Sequence, residues 1–382
     1  MEEKEIVQKT NLLEPILFVI ISLIIFIPVM NIMGVSNFFK TLMSTAHDLL
    51  LNTVFFIMAV AVLTSAFGNI LSEFGVVYLL NKLLSKLMRP LYNLPGAASL
   101  GILTTYLSDN PAILSLAQDK QFVKYFEKWQ IPLLCNLGTS FGMGLIVTTF
   151  MIAQSSNMGT NLVGPVLLGN LGAVIGSIIS VRIFSIYTKK YYKNSESFSG
   201  TENVNYWNAT KGGYVSRLID ALLEGGKVGV DLGLSIIPGV LIISTMVMMF
   251  TNGPKDPSIG YQGLPYEGVP VLQWIGERLE FILNFLFGFK SPKLIAFPLT
   301  SLGSTGAALA LVPRFIESNS ITANDIAVLT SIGMTWSGYL STHIAMMDSL
   351  KARKLASKAI LSHTIAGILA GFITHLLYVL IF

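Results

Sequence analysis

Long apolar segments are the feature that most constrains how this chain folds. A helix rises about 1.5 Å per residue, so about 20 apolar residues cross the roughly 30 Å of hydrocarbon in a bilayer. The chain has 382 residues, of which 52% are apolar and only 12% charged, whereas soluble domains carry about 25% charged residues. It is therefore predicted to be an all-α polytopic membrane protein. The predicted membrane spans are 15–33, 50–68, 130–153, 161–187, 228–250, 323–346 and 359–381.

The basic residues lie mainly between these apolar segments. The net charge of +4 therefore indicates membrane-flanking loops rather than a nucleic-acid surface, and no nucleic-acid partner is expected. An amino terminus on the cytoplasmic side places the excess of Lys and Arg inside. The sequence predicts a multi-pass protein of the bacterial cytoplasmic (inner) membrane, with the lipid bilayer as its surroundings.

Two apolar segments, 95–118 and 293–317, are interrupted near their middles. Both carry a proline and a Ser-Leu-Gly triplet, at 99–101 and at 301–303. The first is broken at 109–111, because proline disfavours helix in the residue before it while Asp and Asn cap a new helix. Arms of about 8–13 residues reach only about the bilayer centre. Both segments are therefore predicted to be re-entrant helical hairpins with tips near mid-membrane.

Two further segments have the pattern of helices that lie in the membrane surface. In 73–89, Lys82, Lys86 and Arg89 share one helical face, and leucines occupy most of the rest. Such a helix lies in the headgroup layer rather than crossing it. The segment 271–289 has the same character, so two interfacial amphipathic helices are predicted.

The order of parts in the first half recurs in the second. With a cytoplasmic amino terminus the opening spans of the two halves, 50–68 and 228–250, run in opposite directions. An inverted repeat of this kind is typical of alternating-access transporters. The predicted divisions are an N-terminal transmembrane helix and loop, a first repeat, a cytoplasmic linker and a second, inverted repeat, at 1–49, 50–187, 188–227 and 228–382.

The chain resembles the membrane proteins that carry the nucleoside-recognition or Gate domain, most closely the YjiH-like branch. The resemblance rests on Leu-Leu-Glu-Gly-Gly-Lys-Val-Gly-Val-Asp-Leu-Gly at 222–233, on Ile-Ile-Pro-Gly-Val at 236–240 and on the segment 298–303. It covers most of the chain after residue 50. It implies two Gate-like repeats that recognise or transport a small solute.

The order of flat helix, hairpin and spans is also similar to that of the concentrative nucleoside transporters. That resemblance implies a ligand site between two hairpin tips and two unwound helices. Spore-maturation proteins share the Gate domain. A non-transporting recognition or assembly protein of the spore-maturation type is therefore the alternative function.

Polar residues at the hairpin tips and beside glycines in two spans form the predicted binding site. Irregular backbone at membrane depth is tolerated only where it is buried in protein or faces water. At such breaks, the N-terminal ends of half-helices bind polar or anionic groups, and the C-terminal ends bind cations. The alternative for each single hydroxyl is ordinary packing between helices. The predicted substrate-binding residues are Ser108, Asp109, Asn110, Asn136, Thr139, Ser140, Ser301, Ser304, Thr305, Thr335, Trp336 and Ser337.

Three of the polar or aromatic candidates have specific alternatives. A carboxylate deep in the membrane costs at least about 2.5 kcal/mol, so Asp109 is predicted to be paired, protonated or bound to a cation, unless it only caps the helix that starts at Pro111. Trp336 either stacks on a ligand ring or packs in the core. His343 is a candidate proton relay, with a satisfied packing histidine as the alternative.

The predicted function is secondary active transport of a small polar organic solute, with a nucleoside-like solute as one class, coupled to Na⁺ or H⁺. No cofactor is expected apart from Na⁺ as a coupling ion, and no metal site is predicted. An enzyme is not expected, because the Gly-x-Ser-x-Gly pattern at 138–142 lies inside a predicted membrane helix rather than at a strand-to-helix turn. A homo-oligomer is expected. A channel is disfavoured because no continuous polar stripe is visible.

Overall fold

The computed structural model describes residues 12–109, 111–118, 120–192, 210–337 and 339–382. All regular structure in these ranges is helical, apart from an isolated bridge between Asp256 and Gly260. The α-helices are α1 (Leu13–Met33), α2 (Val35–Asp48), α3 (Phe55–Glu73), α4 (Val76–Tyr92), α5 (Ala98–Leu107), α6 (Pro111–Gln118), α7 (Lys120–Val123), α8 (Leu133–Phe141), α9 (Gly144–Ala153), α10 (Ser155–Met158), α11 (Val163–Tyr191), α12 (Tyr214–Gly239), α13 (Thr245–Met249), α14 (Val271–Arg278), α15 (Glu280–Phe287), α16 (Ala296–Ser301), α17 (Thr305–Leu309), α18 (Val312–Glu317), α19 (Ala323–Thr335), α20 (Tyr339–Ser349) and α21 (Ala356–Ile381). Four short segments have other helical forms, namely the π-helical Leu49–Val54 and Val240–Ser244 and the 3₁₀ turns Pro292–Ile295 and Arg353–Leu355.

Six helices in the described part of the chain are long and apolar enough to cross a membrane. They confirm the prediction of an all-α polytopic membrane protein, with two changes. The predicted span 50–68 belongs to a longer helix that starts at Val35, and the predicted span 323–346 is divided into α19 and α20. The six are Leu13–Met33, Val35–Glu73, Leu133–Met158, Val163–Tyr191, Tyr214–Met249 and Arg353–Ile381.

The spans differ in how deeply they lie inside the protein. Within the most apolar stretch of each helix, 11% of the residues of Leu13–Met33 are buried, against 89% for Leu133–Met158. The first helix is therefore peripheral, and most of its side chains are exposed. The broken helix formed by α8 and α9 lies at the centre.

The two halves have matching parts. A π-helical segment lies in the opening helix of each half, at Leu49–Val54 and Val240–Ser244. The later helix of each half is broken, between α8 and α9 and between α19 and α20. Met143, in the first break, has a φ of 57°, a left-handed conformation that interrupts the helix. The chain thus forms an inverted repeat with two hairpins and two amphipathic segments, the single helix α4 and the pair α14 and α15.

Glycines allow the equivalent helices of the two repeats to approach closely. A Cβ on Gly229 of α12 would lie 2.4 Å from the Val62 Cα of α3. A Cβ on Gly176 of α11 would lie 2.7 Å from the Ala370 Cβ of α21. Small residues permit such backbone contact between membrane helices. Part of the glycine-rich segment 222–233 is therefore explained as a helix-packing surface.

Both predicted hairpins are broken close to the expected positions. The first consists of α5 and α6, with the break between Leu107 and Pro111. The second consists of the 3₁₀ turn, α16, α17 and α18, with its tip between Ser301 and Thr305. We call them hairpin 1 and hairpin 2.

The amphipathic helix α4 turns its leucines outward. Its buried face consists of Val77, Asn81, Ser85, Met88 and Tyr92, and Leu83 is 70% exposed. Apolar side chains on the outside next to Lys and Arg fit a helix at the lipid surface. The predicted second amphipathic segment, 271–289, is divided at Leu279 into α14 and α15, with Phe281 and Phe285 exposed.

Candidate functional site

The tip of hairpin 2 is bonded to the break that follows α19. The Thr305 hydroxyl donates to the Gly333 carbonyl at 3.0 Å and lies 3.4 Å from the Trp336 carbonyl. The Leu340 amide donates to the Leu302 carbonyl at 3.0 Å. The last carbonyls of a helix have no partner within it. Hairpin 2 therefore supplies partners where α19 ends and α20 begins.

Ser304 begins the second arm of hairpin 2. Its hydroxyl accepts from the Ala307 amide at 3.2 Å and caps α17. It also lies against α12, because a Cβ on Gly239 would be 2.9 Å from the Ser304 Oγ. The structure thus brings Ser304 and Thr305 into contact with both the opening helix and the broken helix of the second repeat.

Two of the predicted hydroxyls are buried and lack a hydrogen-bond partner among the described residues. They are Ser301 Oγ in hairpin 2 and Thr335 Oγ1 at the end of α19. A buried polar atom left unpaired costs about 1–3 kcal/mol, so such atoms need an explanation. They are groups that a polar solute or a water molecule would satisfy. Ser337 is buried in the same break.

Hairpin 1 lies against the broken helix of the first repeat. A Cβ on Gly138 would lie 2.5 Å from Ile113 of α6, and one on Gly144 would lie 2.3 Å from the Tyr106 ring of α5. At the tip, Ser108 and Asp109 are half-buried, and the Asp109 carbonyl accepts from the Ala112 amide at 2.9 Å. Asn110 lies outside the described residues. The role of the Asp109 side chain stays a prediction.

Asn136 of α8 joins the two broken helices. Its Oδ1 lies 3.3 Å from His343 Nε2 of α20. Its Nδ2 donates to Ser180 Oγ at 2.9 Å and to the Ala359 carbonyl at 3.1 Å. The other His343 nitrogen, Nδ1, lies 2.9 Å from the Tyr339 carbonyl. Two residues that sequence reasoning proposed separately are thus neighbours, although 207 positions apart.

Thr139 and Ser140 are satisfied within their own helix. Their hydroxyls donate at 2.9 Å to the carbonyls of Cys135 and Asn136, one turn back. Both side chains are fully buried. In this conformation their contacts are those of packing, and their role in binding stays a prediction.

Two functional candidates, Ser180 and His363, were missed by the sequence analysis. His363 Nδ1 lies 2.7 Å from Ser180 Oγ, and His363 Nε2 lies 2.5 Å from the Thr335 carbonyl. The signal available for His363 was its position in the predicted span 359–381, since ionisable residues inside membrane helices are rare and often functional. Ser180 had no distinguishing signal, because serine is common in membrane helices.

Trp336 is used for packing in this conformation. Its ring stacks on Tyr339 with centroids 5.8 Å apart, and only 5% of the residue is exposed. Its Nε1 donates to the His363 carbonyl at 3.2 Å. Because Trp336 O also lies near the Thr305 hydroxyl, Trp336 connects the tip of hairpin 2 to His363.

A separate polar cavity of about 430 Å³ lies beside α18. Arg314 forms ion pairs with Asp48 and Glu317 there and donates to the Tyr266 hydroxyl at 2.7 Å. Burial, and then the hydrogen bond to Asp48, raise the pKa of Tyr266. The phenol therefore stays neutral to alkaline pH. The sequence analysis did not predict this cavity.

The fold matches solved transporter structures. CNTnw, a concentrative nucleoside transporter, is similar in an inward-facing substrate-bound state, with 12% identity, a TM-score of 0.53 and coverage of 84% of this chain and 74% of that one. A doubly substituted CNTnw in an outward-facing state has 12% identity, a TM-score of 0.58 and coverage of 85% and 75%. A singly substituted CNTnw in an intermediate state has 13% identity, a TM-score of 0.56 and coverage of 84% and 75%.

These likenesses show the fold, as predicted from the order of hairpins and spans. No protein-family model matches the chain. No curated protein matches it either. The resemblance to the Gate domain and to its YjiH-like branch therefore stays a prediction.

Proposed function

We propose that this protein is a secondary active transporter of a small polar organic solute, with nucleosides as the first class to test. The observation that carries the proposal is the fold likeness to CNTnw, which has been solved in inward-facing substrate-bound, outward-facing and intermediate states. An inverted repeat with broken helices is suited to alternating access, because one set of elements can move against the other around a central site. Transport is proposed to be driven by a Na⁺ or H⁺ gradient.

The solute is proposed to bind where hairpin 2 meets the break after α19. The unpaired hydroxyls of Ser301 and Thr335 support this position, because a sugar hydroxyl or a base edge would provide hydrogen bonds that they lack. The Thr305 hydroxyl lies in the same region but already donates to the Gly333 carbonyl. From the first repeat, the site would be completed by residues of hairpin 1 and α8. These are Ser108, Asp109, Asn110, Asn136, Thr139 and Ser140.

Movement is proposed to involve the hairpins rather than the paired spans. The backbones of α3 and α12 lie in close contact at their glycines, as do those of α11 and α21. Separating either pair of helices would open large voids. Hairpin 2 is joined to its neighbours by a few hydrogen bonds, through Thr305 and Leu302 at its tip and from Ser244 to the Ala307 carbonyl. Such bonds can break and re-form at a cost of about 0.5–1.5 kcal/mol each.

The orientation and division of the chain belong to the same proposal. The amino terminus lies in the cytoplasm of a bacterial cell, the segment 188–227 links the repeats on the cytoplasmic side, and the transporter is a homo-oligomer. The repeats are 50–187 and 228–382. In the structure, α12 starts at Tyr214, within the segment given to the linker.

The test is uptake of radiolabelled nucleosides into proteoliposomes under an inward Na⁺ or H⁺ gradient. Ser301→Ala is expected to raise KM about 3- to 10-fold, the effect of losing one hydrogen bond. Ser235→Ala is the matched control, because the Ser235 hydroxyl is exposed and donates to the carbonyl of Leu232 in its own helix. Thr305→Val and Thr149→Val form a second pair, since Thr149 bonds only within α9.

Two results would contradict the proposal. One is no uptake of nucleosides, amino acids or organic cations under either gradient, together with a tightly bound partner protein, which would favour the assembly role. The other is equal KM values for the site variants and their controls, which would remove hairpin 2 from the binding site.

A further inference from the structure

Four helices, two from each repeat, are joined by one buried hydrogen-bond network. Asn136 belongs to α8 and Ser180 to α11 in the first repeat, while His343 belongs to α20 and His363 to α21 in the second. All four side chains are buried. Buried polar networks are stable only when each donor meets an acceptor. Their donors and acceptors can therefore be assigned one by one.

The half of the network around His363 is complete with a neutral ring. The Thr335 carbonyl only accepts, so His363 Nε2 carries the hydrogen that points to it. His363 Nδ1 then accepts from the Ser180 hydroxyl. The Ser180 oxygen in turn accepts from Asn136 Nδ2. Every bond in this half has one donor and one acceptor.

The half around His343 is not complete with a neutral ring. The Ala359 carbonyl also accepts from Asn136 Nδ2, which fixes the amide so that Oδ1 points to His343 Nε2. His343 Nδ1 faces a second acceptor, the Tyr339 carbonyl. A neutral imidazole donates from only one nitrogen. Either neutral tautomer would place a nitrogen lone pair against an oxygen lone pair.

We propose that His343 is a proton-binding site and that its doubly protonated ring holds α20 against α8 in this conformation. The imidazolium donates from Nδ1 to Tyr339 O and from Nε2 to Asn136 Oδ1, so the added proton completes the network. The proton comes from water and returns to it, and no other bond changes. The ligand of this site is therefore H⁺ itself.

The surroundings of His343 make its proton costly to hold. Its titratable neighbours are Tyr339 on its own helix, His363 of α21 at 5.0 Å between ring centroids, and Cys135 of α8, whose thiol donates to the His343 carbonyl at 3.9 Å. None of the ion pairs among the described residues includes His343. A buried charge without a counter-ion is destabilised. The proton is therefore retained only while both oxygen acceptors are in place.

Protonation and conformation are linked for this reason. Binding of H⁺ favours the contact between Asn136 and His343, and this contact joins the broken helices of opposite repeats. Loss of H⁺ leaves two acceptors facing each other and favours separation of α8 from α20. The use of this step to couple H⁺ to solute movement rests on the proposed transport function, whereas the proton site itself does not.

The site can be tested without any transport assay. The purified protein, labelled with ¹⁵N-histidine and held in lipid bilayers, is examined by solid-state NMR across a pH series. We expect an imidazolium signal that disappears in His343→Gln and persists in His375→Gln. His375 of α21 is the matched control, because its ring also meets an asparagine, with Nδ1 2.9 Å from Asn324 Oδ1.

Substitution of Asn136 gives the discriminating measurement. Asn136→Asp places a carboxylate beside the ring, and an opposite charge at this distance raises the titration midpoint by about 1–3 pH units. Asn136→Leu removes one acceptor, so a neutral ring becomes sufficient and the midpoint falls. The proton site would be overturned if His343 stays neutral from about pH 4 to pH 8. It would also be overturned if the titration midpoint of His343 is unchanged by both substitutions. The wild-type titration decides the question even if one variant does not fold.

Uptake assays separate the site from its use. If His343 titrates as expected and H⁺-driven uptake is lost in His343→Gln but not in His375→Gln, the coupling role is supported. If His343 titrates but uptake follows only a Na⁺ gradient and ignores pH, the coupling role is overturned. Titration without uptake of any solute would remove the transport function and leave the proton site intact.

Discussion

Exchange of Gly229 for alanine should weaken the pair formed by α3 and α12. The new Cβ would lie 2.4 Å from Val62 Cα, 2.5 Å from Val62 N and 2.6 Å from the Ala61 carbonyl carbon. These are backbone atoms, which cannot rotate away. Since ordinary contact begins near 3.4 Å, the helices must separate by roughly 1 Å, and such overpacking costs about 1–3 kcal/mol.

Gly226→Ala is the matched control for this prediction. It lies three residues earlier in the same helix, and its new Cβ would meet only Val62 Cγ1 at 3.8 Å. Alanine is favoured over glycine inside a helix by about 0.8–1.0 kcal/mol, so this variant should be as stable as the wild type or more stable. The same gain offsets part of the loss in Gly229→Ala. The two variants should therefore differ by about 1–3 kcal/mol, the overpacking cost alone.

Thermal unfolding in detergent, followed by size-exclusion chromatography, measures the difference. A change of 1 kcal/mol shifts Tm by about 2–4 °C in proteins of moderate size, so a separation of several degrees between the variants is expected. A Gly229→Ala protein as stable as Gly226→Ala would refute the argument. It would mean that the two helices are not packed backbone to backbone.

Three more predictions follow from particular contacts. Ser180→Ala should lower the free energy of unfolding by about 1–3 kcal/mol, because it leaves buried groups of the network unpaired. Ser362→Ala is the control and should cost less, because it loses only a bond within its own helix. Thermal unfolding of the two variants measures the difference. Glu73→Gln weakens the pair with Arg217, which lies 2.6 Å away, and should cost roughly 0.5–1 kcal/mol, an effect that high salt should reduce. Since burial raises the pKa of Tyr266, its neutral phenol adds stability that is present below about pH 10 and is lost as pH rises further; Tyr266→Phe should therefore lose this alkaline step in a pH series of Tm, and an unchanged step would assign it elsewhere.

The hydrogen-bond network connects the proposed solute site to the proposed proton site. Trp336 connects the tip of hairpin 2 to the His363 carbonyl, and His363 connects through Ser180 to Asn136. A change at the proposed solute site therefore has a continuous bonded route to His343. Double-mutant cycles between Thr305 and Asn136 would measure the coupling along it.

The local features of the fold were predictable from the residues themselves. Apolar length requires spanning helices, and the Asp-Asn-Pro sequence at 109–111 places the break of hairpin 1, because proline and its predecessor restrict the backbone whatever surrounds them. The recurring order of parts gave the inverted repeat. The broken helices were expected from glycines, and the breaks lie at Gly142–Met143 and after Thr335.

The contacts between segments were decided only by the tertiary structure. Asn136 and His343 were each chosen for their polarity, yet nothing in the sequence indicates that they meet, or that Ser180 and His363 complete their network. The sequence did not indicate whether the leucines of α4 face the protein core or the outside. Helix formation depends on neighbours a few residues apart, whereas these contacts depend on the rotation and register of helices packed from distant parts of the chain. The sequence alone therefore determined a membrane protein with broken helices, and helix packing determined which polar groups meet.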